Sequence, residues 1–247
     1  MTIKYMFLLA LILPVAGCGG MAPASPNQTL PNRSAACEKM SNEHELIVNV
    51  TQEIADEGRL HAALANLEQL PDTLPEARLR KAKILRLLAS PDAEDLYRSL
   101  LDTCLSAEGH HGLGQVKATQ GNHLAALDHL RRAAKLSPAD GAIRNDLGLV
   151  LLHLRRLPDA RFELFTAFEL NEASAQPLEN LLTLLVYDNK WKEAGELVTR
   201  KRLPPEQFQI AEERARALRL EDIIEGRQSS TDTTQGQGSF IKLETVQ

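Results

Sequence analysis

Residues 113–170 read LGQVKATQGNHLAALDHLRRAAKLSPADGAIRNDLGLVLLHLRRLPDARFELFTAFEL. Within this stretch Leu113-Gly114, Ala126, Leu130, Ala133 and Leu136 recur as Leu147-Gly148, Ala160, Leu164, Ala167 and Leu170, each displaced by 34 positions. A repeat of that period, with small and large apolar residues in fixed alternation, specifies stacked helical hairpins. Gly121-Asn122 marks the turn inside the first unit. Ser137-Pro138 ends it, because proline cannot continue a helix and restricts the residue before it. In the second unit Leu157-Pro158-Asp159 opens the second helix, where proline in the first turn costs little. Such a stack leaves little room for a buried catalytic pocket.

The pattern extends in both directions from this core. A third unit keeps Leu181, Leu185, Ala194 and Val198 but carries Leu182 where the others have glycine, so its helices should sit less closely. Upstream, Asp56-Glu57-Gly58-Arg59 resembles the interhelical turn and is followed by Ala63, Leu67, Leu70 and Pro71. Ala77, Ala82 and Leu85, then Ala93, Leu96 and Leu100, suggest another hairpin, turned at Ser90-Pro91-Asp92. The clearest repeats span 107–138, 140–172 and 174–202. Helices are predicted over 38–57, 60–70, 75–89, 92–105, 107–120, 123–136, 141–154, 157–170, 174–188 and 190–201. Pro204-Pro205 closes the last hairpin. Residues 206–221 (EQFQIAEERARALRLE) then form a charged helix with Ile210, Ala211, Ala215, Ala217 and Leu218 towards the stack, a polar cap for its open end. Residues 223–247, rich in Ser, Thr, Gln and Gly, are expected to be a disordered tail.

This pattern resembles that of tetratricopeptide repeats, in which the small residue after the leucine lets the helices of a hairpin approach. Chance amphipathic helices would share the apolar stripe but not the glycine and both alanines. The resemblance implies an all-α fold over 37–222: a right-handed superhelical solenoid of about five tetratricopeptide-like helical hairpins plus a C-terminal capping helix. It also implies that the first helix of each hairpin lines a concave partner-binding groove. Projection onto that face selects His111, Gln115 and Thr119, then Asn145, Leu149, Leu152 and His153, then Asn180, Thr183 and Tyr187. Leu149, Leu152 and Tyr187 would be the apolar anchors. The amides of Asn145 and Asn180 would bond either a bound segment or the backbone of neighbouring helices.

The N-terminus concerns location. Lys4 precedes an apolar run from Met6 to Val15, too short for a stable membrane span, and Val15-Ala16-Gly17-Cys18 resembles the lipobox of bacterial lipoproteins. That resemblance implies a signal peptide over 1–17, cleavage before Cys18 and a covalent lipid on its thiol. The anchored leash over 18–36 is rich in Pro, Ser, Asn and Gly. Gly19-Gly20 after the cysteine, with no adjacent Asp, favours the periplasmic face of the outer membrane. The lipid would be the only membrane contact. Cys37 and Cys104 would then share an oxidising compartment, where they either pair or remain separate thiols.

No chemistry beyond recognition is encoded. The chain has no Gly-rich phosphate loop, nucleophile elbow or metal-spaced cysteine pair, and no cofactor or enzyme activity is expected. His110, His111, His123 and His129 read as solvent or groove histidines, because six-residue spacing puts His123 and His129 on different helix faces. A net charge of −5 over 247 residues excludes general attraction to nucleic acid.

Asn145-Asp146-Leu147-Gly148, the Ala160-Arg161-x-Glu163 run and Asn180-Leu181-Leu182, together with lipobox, leash and repeats, resemble the TadD lipoproteins of Flp/Tad pilus assembly. The resemblance implies a pilotin-like scaffold that binds an outer-membrane secretin, or another pilus-assembly component, and helps its localisation. The same layout also fits a type IV pilotin, a barrel-assembly accessory or a peptidoglycan-enzyme adaptor.

Overall fold

The computed structural model describes residues 37, 39–171 and 174–236. The expected signal peptide, Cys18 and most of the leash lie outside these residues. Eleven helices follow one another: α1 (Asn42–Asp56), α2 (Leu60–Leu67), α3 (Pro75–Leu87), α4 (Asp92–Arg98), α5 (Ser106–Thr119), α6 (His123–Leu136), α7 (Gly141–His153), α8 (Leu157–Leu170), α9 (Ala175–Tyr187), α10 (Trp191–Lys201) and α11 (Pro205–Gly236). They pair as α1–α2, α3–α4, α5–α6, α7–α8 and α9–α10, and each first helix also touches the next first helix along the stack. Among the described residues there is no strand and no helix long and apolar enough to cross a membrane.

One turn is used five times. Gly58, Ala89, Gly121, Arg155 and Asn189 all have positive φ. In each case the next N–H bonds back five residues, from Arg59 to Ile54, Ser90 to Leu85, Asn122 to Lys117, Arg156 to Leu151 and Lys190 to Leu185. These left-handed links reverse the chain within each hairpin. The last three are 34 residues apart; upstream the intervals shorten to 32 and 31.

The repeat residues do what their sizes dictate. A Cβ on Gly114 would lie 2.6 Å from Leu130 Cγ, and one on Gly148 2.6 Å from Leu164 Cγ. Glycine therefore sets how closely α5 meets α6 and α7 meets α8. In the third unit Leu182 takes that position and is fully buried; α9 meets α10 over a smaller area and packs instead against α11. Buried Ala211, Ala215 and Leu218 form the inward stripe of α11. Ile210 and Ala217, expected to face the stack, are exposed.

Three boundaries depart furthest from the sequence reading. α1 starts at Asn42, where the Ser41 side chain accepts the His44 N–H at 3.2 Å, so Cys37 precedes the helix. α4 stops at Arg98 because the following bonds tighten to three-residue spacing, Leu100 to Tyr97, Leu101 to Arg98 and Thr103 to Leu100. The expected disordered tail over 223–247 instead continues α11 as far as Gly236. No proline after Pro205 stops that helix. Residues 237–247 lie outside the described part.

Cys37 and Cys104 form a disulfide with Cα atoms 5.1 Å apart, across 67 residues of sequence. It closes a loop around the first two hairpins. Their buried residues fall in two small clusters, one around Val48, Leu67 and Ile84 and one around Ala82, Tyr97 and Leu100 that also takes in Leu113 of α5. A single larger cluster runs from α6 to α11. The covalent link therefore sits where the apolar core is most divided.

Candidate partner-binding cleft

First helices α5, α7 and α9 carry all the residues selected from sequence, and α11 lies beside them as if it opened a sixth hairpin. Three side-chain bonds make this explicit, each between residues 35 apart. His111 Nε2 stands 2.7 Å from Asp146 Oδ2, Asn180 Nδ2 donates to Asn145 Oδ1 at 2.9 Å, and the Tyr187 hydroxyl donates to Asp222 Oδ2 at 2.7 Å. They join α5 to α7, α7 to α9 and α9 to α11. An offset of one repeat plus one residue brings these positions face to face on adjacent helices.

Asp146 is the centre of the polar wall. Gln115 Nε2 donates to its Oδ2 at 2.7 Å and Asn145 Nδ2 to its Oδ1 at 3.2 Å. Burial alone would raise this carboxyl, but the bonds from His111, Gln115 and Asn145 outweigh it and hold the pKa below the ordinary value. Asn145 and Asn180 are only 3% and 5% exposed. The Asn145 amide is satisfied within the wall, between helices.

Two adjoining hollows lie along this wall. The larger, 610 Å³, is lined by Leu149, Leu152, His153, Asn180 and Thr183, by Ala175, Gln176 and Glu179 at the start of α9, and by Arg214, Ala217, Leu218 and Glu221 of α11. The second, 420 Å³, is lined by Gln115, Thr119, Asp146, Leu149 and His153 together with Arg86, His123 and Gln176. Leu149 reaches both. Leu152 is fully buried and serves as floor.

Tyr187 lies outside both hollows. Its hydroxyl is held by Asp222, and the Arg155 guanidinium lies 5.3 Å from its ring centroid. Arg155 also donates to Asp222 at 2.5 Å and to the Leu218 carbonyl at 2.9 Å, and Arg219 donates to the Val186 and Tyr187 carbonyls at 2.6 and 3.0 Å. This region latches α11 onto α9. The contribution of α11 to the cleft was not visible in sequence, because Arg214, Ala217 and Glu221 carry none of the repeat's signature residues.

The histidines form pairs. His123 and His153 stack with centroids 4.6 Å apart at the rim of the cleft, and His110 Nδ1 lies 3.1 Å from His129 Nδ1. Burial, and then the neighbouring His123, push His153 below its usual pKa. Burial, followed by His129, does the same for His110. Among the described residues the one group with metal-ligand proximity is Cys37, Glu76 and Cys104. Its two thiols are joined in the disulfide.

The chain is 40% identical over 210 residues to the TPR repeat-containing protein PA4299 of Pseudomonas aeruginosa, an alignment spanning 85% of this chain and 84% of that protein. This chain belongs to the tetratricopeptide-repeat-containing proteins. No family model matches it. Among solved structures it is similar to Pseudomonas aeruginosa PilF, with a TM-score of 0.56 at 18% identity over 76% of this chain and 87% of that one. It is also similar to the TPR protein TTC0263 of Thermus thermophilus, with a TM-score of 0.56 at 19% identity over 71% and 98%. MamA of Desulfovibrio magneticus gives 0.51 at 20% identity over 66% and 94%. These structural likenesses establish the fold alone. The tetratricopeptide solenoid expected from the 34-residue period is the fold found.

Proposed function

We propose that this tetratricopeptide-repeat protein is a pilotin-like scaffold, lipid-anchored through Cys18 to the periplasmic face of the outer membrane, that holds the secretin of a Flp/Tad pilus in its cleft during assembly. The observation that carries the binding role is the 610 Å³ cleft, with apolar Leu149, Ala175, Ala217 and Leu218 interleaved with Asn180, Thr183, Glu179 and Arg214. An apolar floor with a few directional polar groups is the arrangement that captures a protein segment. The resemblance to TadD lipoproteins in Asn145-Asp146-Leu147-Gly148 and Asn180-Leu181-Leu182 supports the pilus assignment, and the small-residue run into Cys18 supports the anchor.

A photoreactive amino acid at Leu149, expressed in the native host, should cross-link to the secretin. Deleting the gene should leave secretin multimers absent from the outer membrane. Normal secretin rings and surface fibres in the deletion strain would refute the proposal. Intact-mass measurement of the membrane-extracted protein should show residues 1–17 removed and acyl chains added.

A further inference from the structure

The outer side of the first two hairpins holds a hollow separate from the cleft. Second helices α2 and α4 run for 8 and 7 residues, whereas α6 and α8 each run for 14. Where the two short helices end, the surface is left open over 670 Å³. Leu64, Leu67, Leu70 and Leu96 give this hollow an apolar lining, and Glu68, Asp72, Arg78 and Lys81 stand beside them. Among the described residues none of these four charged groups is in an ion pair. Small-molecule sites have about 300–1,000 Å³ and the same mixture of apolar walls with a few polar groups.

Arg78 carries the argument further. It lies eleven residues before Ala89, the left-handed turn residue of its hairpin, as Arg144 lies eleven before Arg155. The two arginines therefore hold the same place in their repeats. Arg144 is satisfied: its Nε donates to the Pro138 carbonyl at 3.0 Å and its Nη1 to the Glu163 carboxylate at 2.8 Å. The place of Glu163, eight residues past the turn, is taken in the second hairpin by Tyr97, so the carboxylate is missing. Arg78 Nη1 donates instead to the Ser99 carbonyl and hydroxyl at 2.9 and 3.0 Å, both neutral, and its Nε is buried without an acceptor. A buried donor left unbonded is costly. An anionic oxygen in the hollow would restore what Arg144 finds within the chain, with Lys81 one turn along the same helix to reinforce it. Glu68 and Asp72 would repel a plain anion, so the ligand must carry a cation too, and the four leucines call for an apolar body. We infer that the hollow takes a zwitterionic phospholipid with an amine head group. Its phosphate lies on Arg78 and Lys81, its ammonium on Glu68 and Asp72, and an acyl chain on Leu64, Leu67, Leu70 and Leu96. This site is independent of what the cleft holds.

Native mass spectrometry of the full chain, released from detergent micelles doped with equal amounts of phosphatidylethanolamine and phosphatidylglycerol, tests this. The ethanolamine lipid should be retained at least about tenfold over the glycerol lipid, which has the phosphate but no ammonium. In Glu68→Gln/Asp72→Asn the glycerol lipid should be retained at least as well as the other, a reversal that misfolding would not produce. Arg78→Gln should lose both lipids. A photoreactive amino acid at Leu96 should capture the ethanolamine lipid, whereas one at Leu124, exposed on α6, should not. Equal retention of the two lipids by the unaltered chain, or equal capture at Leu96 and Leu124, would overturn the assignment. Retention of neither lipid would overturn it as well. Displacement of the lipid by O-phosphoethanolamine at equal concentration would show that the head group alone binds, and the lipid assignment would fall.

Discussion

Asp146 shows how one residue can belong to the repeat and to the site at once. It follows Asn145 in the stretch that fixes the fold, yet its carboxylate gathers donors from α5 and from its own helix. Its folded pKa lies below the unfolded value of about 3.9. Its stabilising contribution is therefore complete above that value and is lost as pH falls through the folded pKa. Asp146→Asn should lower stability at neutral pH by roughly 1–3 kcal/mol and flatten the loss of stability on acidification. Urea midpoints followed from neutral pH to about pH 3 would show it; an unchanged acid limb would contradict the assignment. Ala89 offers the opposite case. It adopts a φ of 54° at an exposed turn, a conformation that costs a side chain roughly 1–2 kcal/mol. Ala89→Gly should stabilise the protein by about 0.5–1 kcal/mol after the added freedom of the unfolded chain is subtracted, read as a raised urea midpoint.

At the level of helices, periodicity sufficed wherever an apolar residue had to meet a small one. Leu113-Gly114 against Leu130 and Leu147-Gly148 against Leu164 recur because backbone proximity demands it, and that demand is written in residue size. Boundaries set by hydrogen-bond geometry left weaker traces. The early stop of α4 depends on where Thr103 finds its partners, accepting from Leu105 N–H and donating to the Leu100 carbonyl. The cleft was legible in part. Leu149, His153, Asn180 and Thr183 followed from projecting the first helices, whereas the wall from α11 required the tertiary fold. The Cys37–Cys104 pairing likewise depended on tertiary proximity. It closes a 67-residue separation around the two hairpins with the smaller cores. Replacing both cysteines with serine should cost about 2–4 kcal/mol. Amide exchange should accelerate in α1–α4 and stay unchanged in α7–α9; uniform acceleration would show that the hairpins do not unfold separately.

For the molecule as a whole, the decisive feature is that α11 stands where the first helix of a sixth unit would stand. It places Asp222 against Tyr187 as Asp146 stands against His111. It covers α9 with its buried Ala211, Ala215 and Leu218 stripe. Ending the chain after Arg202 should uncover that surface, and the shortened protein should associate in a concentration-dependent way. Light scattering across a dilution series would detect this; a truncated chain that stays monomeric would show that α11 is not a cap. Because the helix that plugs the stack is also the last wall of the cleft, growth at this end and completion of the cleft exclude one another. A second copy could stack on α9 only by displacing α11, and doing so would take Arg214, Ala217, Leu218 and Glu221 out of the cleft wall.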